Sequence, residues 1–181
     1  MVTTSGISPL DEGREELLRE ASIEAEVSGR EKAREEAGPA RSLLVFSVGA
    51  EGYAVDLVHV RKVLRPAPIA RVSGASPEVL GLMNCQGEVL CVLDLRGILS
   101  PGKEPAPAAS TEGKFVVVLQ HGGKEAGFLV DAVMDVNDLP ASSVHPVLDS
   151  IDPSRARLFE GTVACGGRFV GLLSPSACLN P

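Results

Sequence analysis

The chain has 181 residues, 44% apolar and 23% charged, material for one ordinary domain with a real core. A net charge of −7, with five Phe, one Tyr and no Trp, argues against both the basic field of a phosphate-backbone binder and an aromatic stacking platform. No apolar run approaches the ~18 residues of a membrane span, so neither nucleic acid nor direct membrane insertion is expected. The N-terminus is polar and lacks the apolar segment of a secretory signal. Cys85, Cys91, Cys165 and Cys178 show no C-x-x-C spacing, and three histidines draw no zinc pattern. The chain reads as a cytoplasmic protein with no metal and no cofactor, its cysteines small core residues of a reducing compartment.

Residues 1–41 differ in texture from the rest, with ten acidic and six basic residues and few large aliphatics. Ser8-Pro9-Leu10-Asp11 reads as an N-cap followed by proline at the first helical position. Leu10, Leu17, Leu18, Ala21 and Ala25 then form a narrow apolar stripe, which Ser28-Gly29 interrupts and Gly38-Pro39 ends. Helices this short are marginal in water. The segment is expected to be a charged, partly helical or disordered extension that folding does not need; the sharper reading of the stripe is a helix that docks a partner.

From Ser42, short apolar runs punctuated by glycine predict strands. Leu43–Val48 and Tyr53–Val55 flank a turn through Gly49-Ala50-Glu51-Gly52, and Asp56 caps one helical turn over Leu57-Val58-His59. Pro66 and Pro68 break the next stretch, and Pro77 starts another turn. Gly81-Leu82-Met83-Asn84 enters a tight turn at Gln86-Gly87 that Glu88–Leu93 leaves, a hairpin with glycine where positive φ is needed. Ser100–Ser110 is a proline-rich connector.

After it the pattern recurs. Phe115–Leu119, a turn at His121–Lys124, Ala126–Val130 and Asp131 come first. Gly161–Cys165 then turns through Gly166-Gly167 into Arg168–Leu173. The halves are offset by 72 residues at Val45/Val117, 75 at Asp56/Asp131 and 80 at Gly87/Gly167, a slow drift that marks two copies of one small β unit. Short strands with regular turns point to barrels, and halves of ~60–70 residues are marginal alone, so the two should share an interface. Alternation places Leu44, Phe46, Val48, Val92, Phe115, Val117, Phe128, Phe169 and Leu172 on inward faces.

Catalytic constellations are missing. Gly97-Ile98-Leu99-Ser100-Pro101-Gly102-Lys103 approaches a phosphate loop, but Glu104 stands where a hydroxyl should hold magnesium, and Pro105 and Pro107 oppose the required helix. Asp131, Asp135 and Asp138 read as caps and solvated faces rather than acid/base pairs. His59 reads as a surface or packing residue. No enzyme is expected.

One long string is more specific than its parts. It comprises Phe46-Ser47-Val48-Gly49-x-x-x-Tyr53-Ala54-Val55-Asp56, Val60-x-x-Val63-Leu64, and Gly81-Leu82-Met83-Asn84-x-x-Gly87-Glu88-Val89-Leu90-x-Val92-Leu93-Asp94-Leu95-Arg96. With Gly127-Phe128-Leu129-Val130-Asp131-x-Val133 it resembles the CheW-like adaptors of bacterial chemotaxis, from about Leu43 to Leu179. The resemblance implies an all-β fold of two five-stranded SH3-like barrels, the first over about 42–99, the second over about 114–179, joined by a connector at about 100–113. It also implies a non-catalytic adaptor that couples the cytoplasmic tips of chemoreceptors to a CheA-type histidine kinase. Its partner-binding positions fall at Val60, Lys62, Gly81, Asn84, Gln86 and Gly87. The alternative is a CheW-like interaction module of another kinase pathway, in motility or development, with the N-terminal extension choosing the partner.

The chain departs from the pattern at particular places. The usual Asn-Leu-Arg-Gly turn is Asn84-Cys85-Gln86-Gly87, a lysine stands at 62 where an acidic residue is common, and Cys91 replaces a frequent proline. Ser174-Pro175-Ser176 replaces an acidic exit from the last strand. An arginine at 86 would face the like charge of Lys62, whereas Gln86 can accept a hydrogen bond from its ammonium. The two changes read as one linked exchange that alters the charge of the groove rim.

Overall fold

The computed structural model describes residues 40–100, 111–147 and 151–180. The apolar stripe at Leu10–Ala25 and the middle of the connector lie outside them. The first half forms β1 (Ala40–Val48), β2 (Glu51–Asp56), β3 (Val60–Leu64), β4 (Ile69–Ala70), β5 (Val79–Cys85), β6 (Glu88–Asp94) and a short helix, α1 (Leu95–Leu99). The second half repeats the order with β7 (Phe115–His121), β8 (Lys124–Val130), β9 (Ala132–Pro140), α2 (Pro153–Ala156), β10 (Phe159–Cys165), β11 (Arg168–Leu173) and α3 (Pro175–Cys178). Asp56 caps a 3-10 turn over Leu57–His59, its carboxylate accepting from the Val58 N–H at 3.1 Å. Ala40 and Arg41, assigned above to the extension, belong to β1. The Arg41 guanidinium lies 2.8 Å from Asp56 and 2.9 Å from Glu160.

The strands make two sheets, ordered β10-β11-β2-β1-β9 and β3-β7-β8-β6-β5-β4. Neither comes from one half of the chain. Hairpin β1–β2 lies between β11 and β9, and hairpin β7–β8 lies between β3 and β6. The expectation of one barrel over 42–99 and another over 114–179 is therefore corrected. Each barrel takes a hairpin from one half and its other strands from the other half. The local reason lies in the links. Only the 3-10 turn separates β2 from β3, and only Asp131 separates β8 from β9. Neither link holds a two-residue reversing turn, so the chain runs on into the other sheet rather than folding back.

Registry makes the duplication explicit. Phe46 pairs with Val133, and Leu119 pairs with Val60; in both pairings the next step is a bulge. The structural offset is thus 73 here, from Phe46 to Leu119 and from Val60 to Val133. Val45 corresponds to Val118 rather than Val117, and Asp131 is not the counterpart of Asp56. Parallel pairing of β2 with β11 and of β8 with β6 completes the exchange.

The core has three parts. Leu43, Val45, Ala54, Val163, Val170 and Leu172 fill one barrel, and Met83, Leu90, Val92, Val116, Val118 and Leu129 fill the other. A larger central cluster, including Leu44, Phe46, Val48, Tyr53, Val117 and Phe128, draws on both sheets. Strands β1 and β7 are thus buried on both faces, which explains their continuous apolar runs. Most of the predicted core is buried, and Phe115 is half-buried beneath the Arg65 guanidinium, 3.8 Å from its ring centre. Phe169 is the exception, at 73% exposure. It lies three residues from Leu172, and an odd separation along a strand puts two side chains on opposite faces. Because Leu172 points into a barrel, Phe169 cannot.

Two glycines show what closes each barrel. Gly81 and Gly161 pass beneath the carbonyls of Ala70 and His145, where a Cβ would sit 2.2 Å and 2.4 Å from the oxygen, and Gly81 has φ +146°. Gly81→Ala and Gly161→Ala should each cost about 2–3 kcal/mol through strain and overpacking. Gly97→Ala in α1, with its nearest neighbour 3.8 Å away, should instead gain about 0.5–1 kcal/mol. Thermal midpoints check both signs.

Candidate functional site

The six expected partner-binding positions separate into two kinds. Val60 is half-buried and packs against the central cluster, and Gly81 is buried under Ala70. Both are explained by the fold. Asn84, Gln86 and Gly87 stand exposed on the β5–β6 hairpin, and the bulge in β3 brings Lys62 beside them. Lys62 Nζ donates to Gln86 Oε1 at 2.9 Å, the hydrogen bond expected from the paired sequence change. Asn84 Oδ1 accepts from the Gly87 N–H at 2.9 Å and ties the strand end to its own turn.

The turn stores strain. Cys85 pairs with Glu88, leaving a two-residue loop in which Gln86 has φ +57° and Gly87 φ +93°. Such turns favour Asn-Gly or Gly-Gly, and the matching loop uses Gly166-Gly167. Among the described residues Gln86 is the sole non-glycine at positive φ, a choice worth roughly 1–2 kcal/mol of strain. The strained residue is the one that meets Lys62.

Exposed apolar groups complete the patch and were missed in the sequence reading. Val89, 74% exposed, lies directly across from Asn84, and Leu82, two residues before Asn84 on the same face of β5, is also open to solvent. Their signal was parity: Val89 alternates with the buried Leu90. The matching position on the other hairpin, 80 residues on, is Phe169. A cavity of about 1000 Å³ opens beside Phe169, Met134 and Arg155 and is lined by none of the six expected positions.

Charged groups fix the crossing from β8 to β9. The Asp131 carboxylate accepts from the Gly49 N–H and lies 3.1 Å from both Arg96 and Lys114. Burial alone would raise its pKa, but the Gly49 hydrogen bond and the two cations outweigh this and hold it below the ordinary carboxylate range. Its contribution to stability is complete above that range and is lost as pH falls through the lowered value. At the end of the last strand Ser174 makes no side-chain cap, whereas the matching Asp94 accepts from the Arg96 N–H at 3.0 Å. Ser174 Oγ instead pairs with Ser176 Oγ at 3.0 Å.

Gly97 of the phosphate-loop-like stretch lies inside α1, so its backbone cannot form a phosphate cradle. Burial raises the pKa of Cys91 and Cys165 and pushes that of Cys178 up to about 12, which keeps these thiols protonated. Among the described residues no helix is long and apolar enough to cross a membrane.

Comparison with known proteins matches the described fold to one family. The pattern of the CheW-like domain family covers residues 42–180. The chain is 28% identical over 133 residues to the chemotaxis protein CheW of Rhizobium meliloti, covering 74% of this chain and 83% of that protein. It is 26% identical over 140 residues to a probable chemotaxis protein CheW of Rhizobium etli, covering 77% and 88%. Among solved structures, the scaffolding protein TtCheW from Thermoanaerobacter tengcongensis superposes with a TM-score of 0.64 at 21% identity, over 75% of this chain and 85% of that one. That likeness shows the shared two-barrel fold.

Proposed function

Because the chain belongs to the CheW-like domain family, we propose that it is a non-catalytic chemotaxis adaptor that joins chemoreceptor tips to a CheA-type histidine kinase. The match across both intertwined barrels carries this reading, since an adaptor needs two rigid surfaces and no reactive centre. We assign partner contact to Lys62, Asn84, Gln86 and Gly87, with Val60 and Gly81 supporting the surface from beneath. The strain at Gln86 favours this choice: backbone strain persists where surrounding structure or function demands it. Residues 1–39 form a separate extension in this reading, dispensable for folding.

The Lys62–Gln86 rim sets partner charge. A cationic rim prefers an acidic group opposite it, which acts on specificity and on-rate more than on bulk affinity. The test is co-purification of the chain with a CheA-type kinase and a receptor cytoplasmic fragment from the same genome. Retention of both supports the adaptor reading. Retention of a kinase without receptor moves the chain to another kinase pathway, and retention of neither overturns the proposal. In the same assay Gln86→Arg should weaken binding about five-fold, the equivalent of ~1 kcal/mol for an exposed contact. Lys62→Glu in that background should restore it, whereas additive losses would show the two positions uncoupled.

A further inference from the structure

His59 and His121, read above as lacking any metal pattern, lie on different halves of the chain, yet the fold brings their rings together. His59 ends the 3-10 turn at the crossing from β2 to β3, and His121 ends β7. Their ring centroids are 4.9 Å apart, with the planes inclined at 67°. We propose that these two imidazoles form a binding site for a borderline divalent transition metal such as Zn²⁺, cross-linking the two halves at the β3–β7 seam.

The geometry fits the chemistry. Zinc–imidazole bonds of ~2.0–2.1 Å, with about 1.2 Å from nitrogen to ring centre, place two ligating rings roughly 4.5–5.2 Å apart for angles between square and tetrahedral. The observed separation falls within that span. Both rings border one open recess of about 490 Å³, with Gln120 and the Gly122-Gly123 turn as neighbours. A Cβ at either glycine would meet nothing within 4 Å, which leaves room for water ligands.

The charge that would oppose a cation there is the Arg61 guanidinium, and Glu125 neutralises it in a salt bridge. Among the described residues no cluster of three or more His, Cys, Asp or Glu could hold a metal. The site is therefore one of two protein ligands with open positions, and its metal would exchange readily. Imidazole selects zinc, nickel and copper over magnesium or calcium. The seam is also irregular, since pairing of β3 with β7 breaks register between Val60 and Lys62. A metal at His59 would stiffen the strand that carries Lys62.

The test is a ZnCl₂ titration of the full chain, followed by the imidazole nitrogen resonances, since free thiols elsewhere also bind zinc. His59 and His121 should shift together and saturate at one equivalent, while His145, away from the recess, should stay unchanged as an internal control. His59→Ala and His121→Ala should each weaken binding roughly 100-fold, the low end of what linking two contacts contributes. His145→Ala should leave binding unchanged, and metal-free melts report whether each variant is folded. Should either substitution disturb folding, His→Gln at the same position keeps the bulk and removes the ring. No saturable binding, equal shifts at His145, or wild-type affinity in both single variants would overturn the site.

Discussion

Severing the chain after Pro105 should give two fragments that each remain unfolded alone and regain the native β spectrum only on mixing. Each barrel needs a hairpin from the other fragment: β1–β2 sits between β9 and β11, and β7–β8 sits between β3 and β6. Without its inserted hairpin a sheet loses its middle strands, and the remaining strands present unpaired edges. Each fragment also exposes its share of the central cluster that both sheets build. Assembly then follows mass action, so the melting temperature of the mixture should rise with concentration. Circular dichroism of each fragment and of the pair decides the matter. A cooperative melt from either fragment alone would show that the halves are independent barrels.

Replacing Phe128 or Phe46 with alanine should cost about 3–5 kcal/mol, because each ring is almost wholly buried in the central cluster. At the 2–4 °C per kcal/mol usual for chains of this size, the midpoint should fall by roughly 10 °C. Phe169→Ala should stay within about 0.5 kcal/mol, as expected for an exposed site. The contrast separates two residues of identical chemistry on strand parity alone. Equal losses at Phe128 and Phe169 would mean that Phe169 packs against the body of the protein.

Much of the candidate site was legible because its signals are local. A two-residue turn at Gln86-Gly87, a cap at Asp56 and a hairpin at His121–Lys124 follow from residues adjacent in sequence, and all are present. The Lys62–Gln86 hydrogen bond could be anticipated because two departures from one family pattern compensated in charge. Val89 and Phe169 went unread as exposed groups, since an apolar residue in a strand predicts burial until its parity against a buried neighbour is counted. Arg41 looked like the last charge of a tail, and only its pairing with Leu139 of β9 places it in β1, where its guanidinium meets Asp56 and Glu160.

Sequence by itself determined the hairpins, the existence of the duplication and the turns, while β3, β4 and β9, whose partners lie far along the chain or whose apolar residues are sparse, went unread as strands. Alternation, glycine and proline act within a few residues, and a repeated pattern needs no tertiary contact to be seen. Tertiary structure alone decided which hairpin joins which sheet. The same apolar face of β1 or β7 would satisfy its own half as well as the other, so burial does not distinguish the two arrangements. The distinction comes from links that do not reverse at Leu57–His59 and Asp131, and from parallel pairs such as Leu172 with Ala54. For the same reason His59 and His121 carry no shared signal along the chain, and the exchange of hairpins is what makes them neighbours.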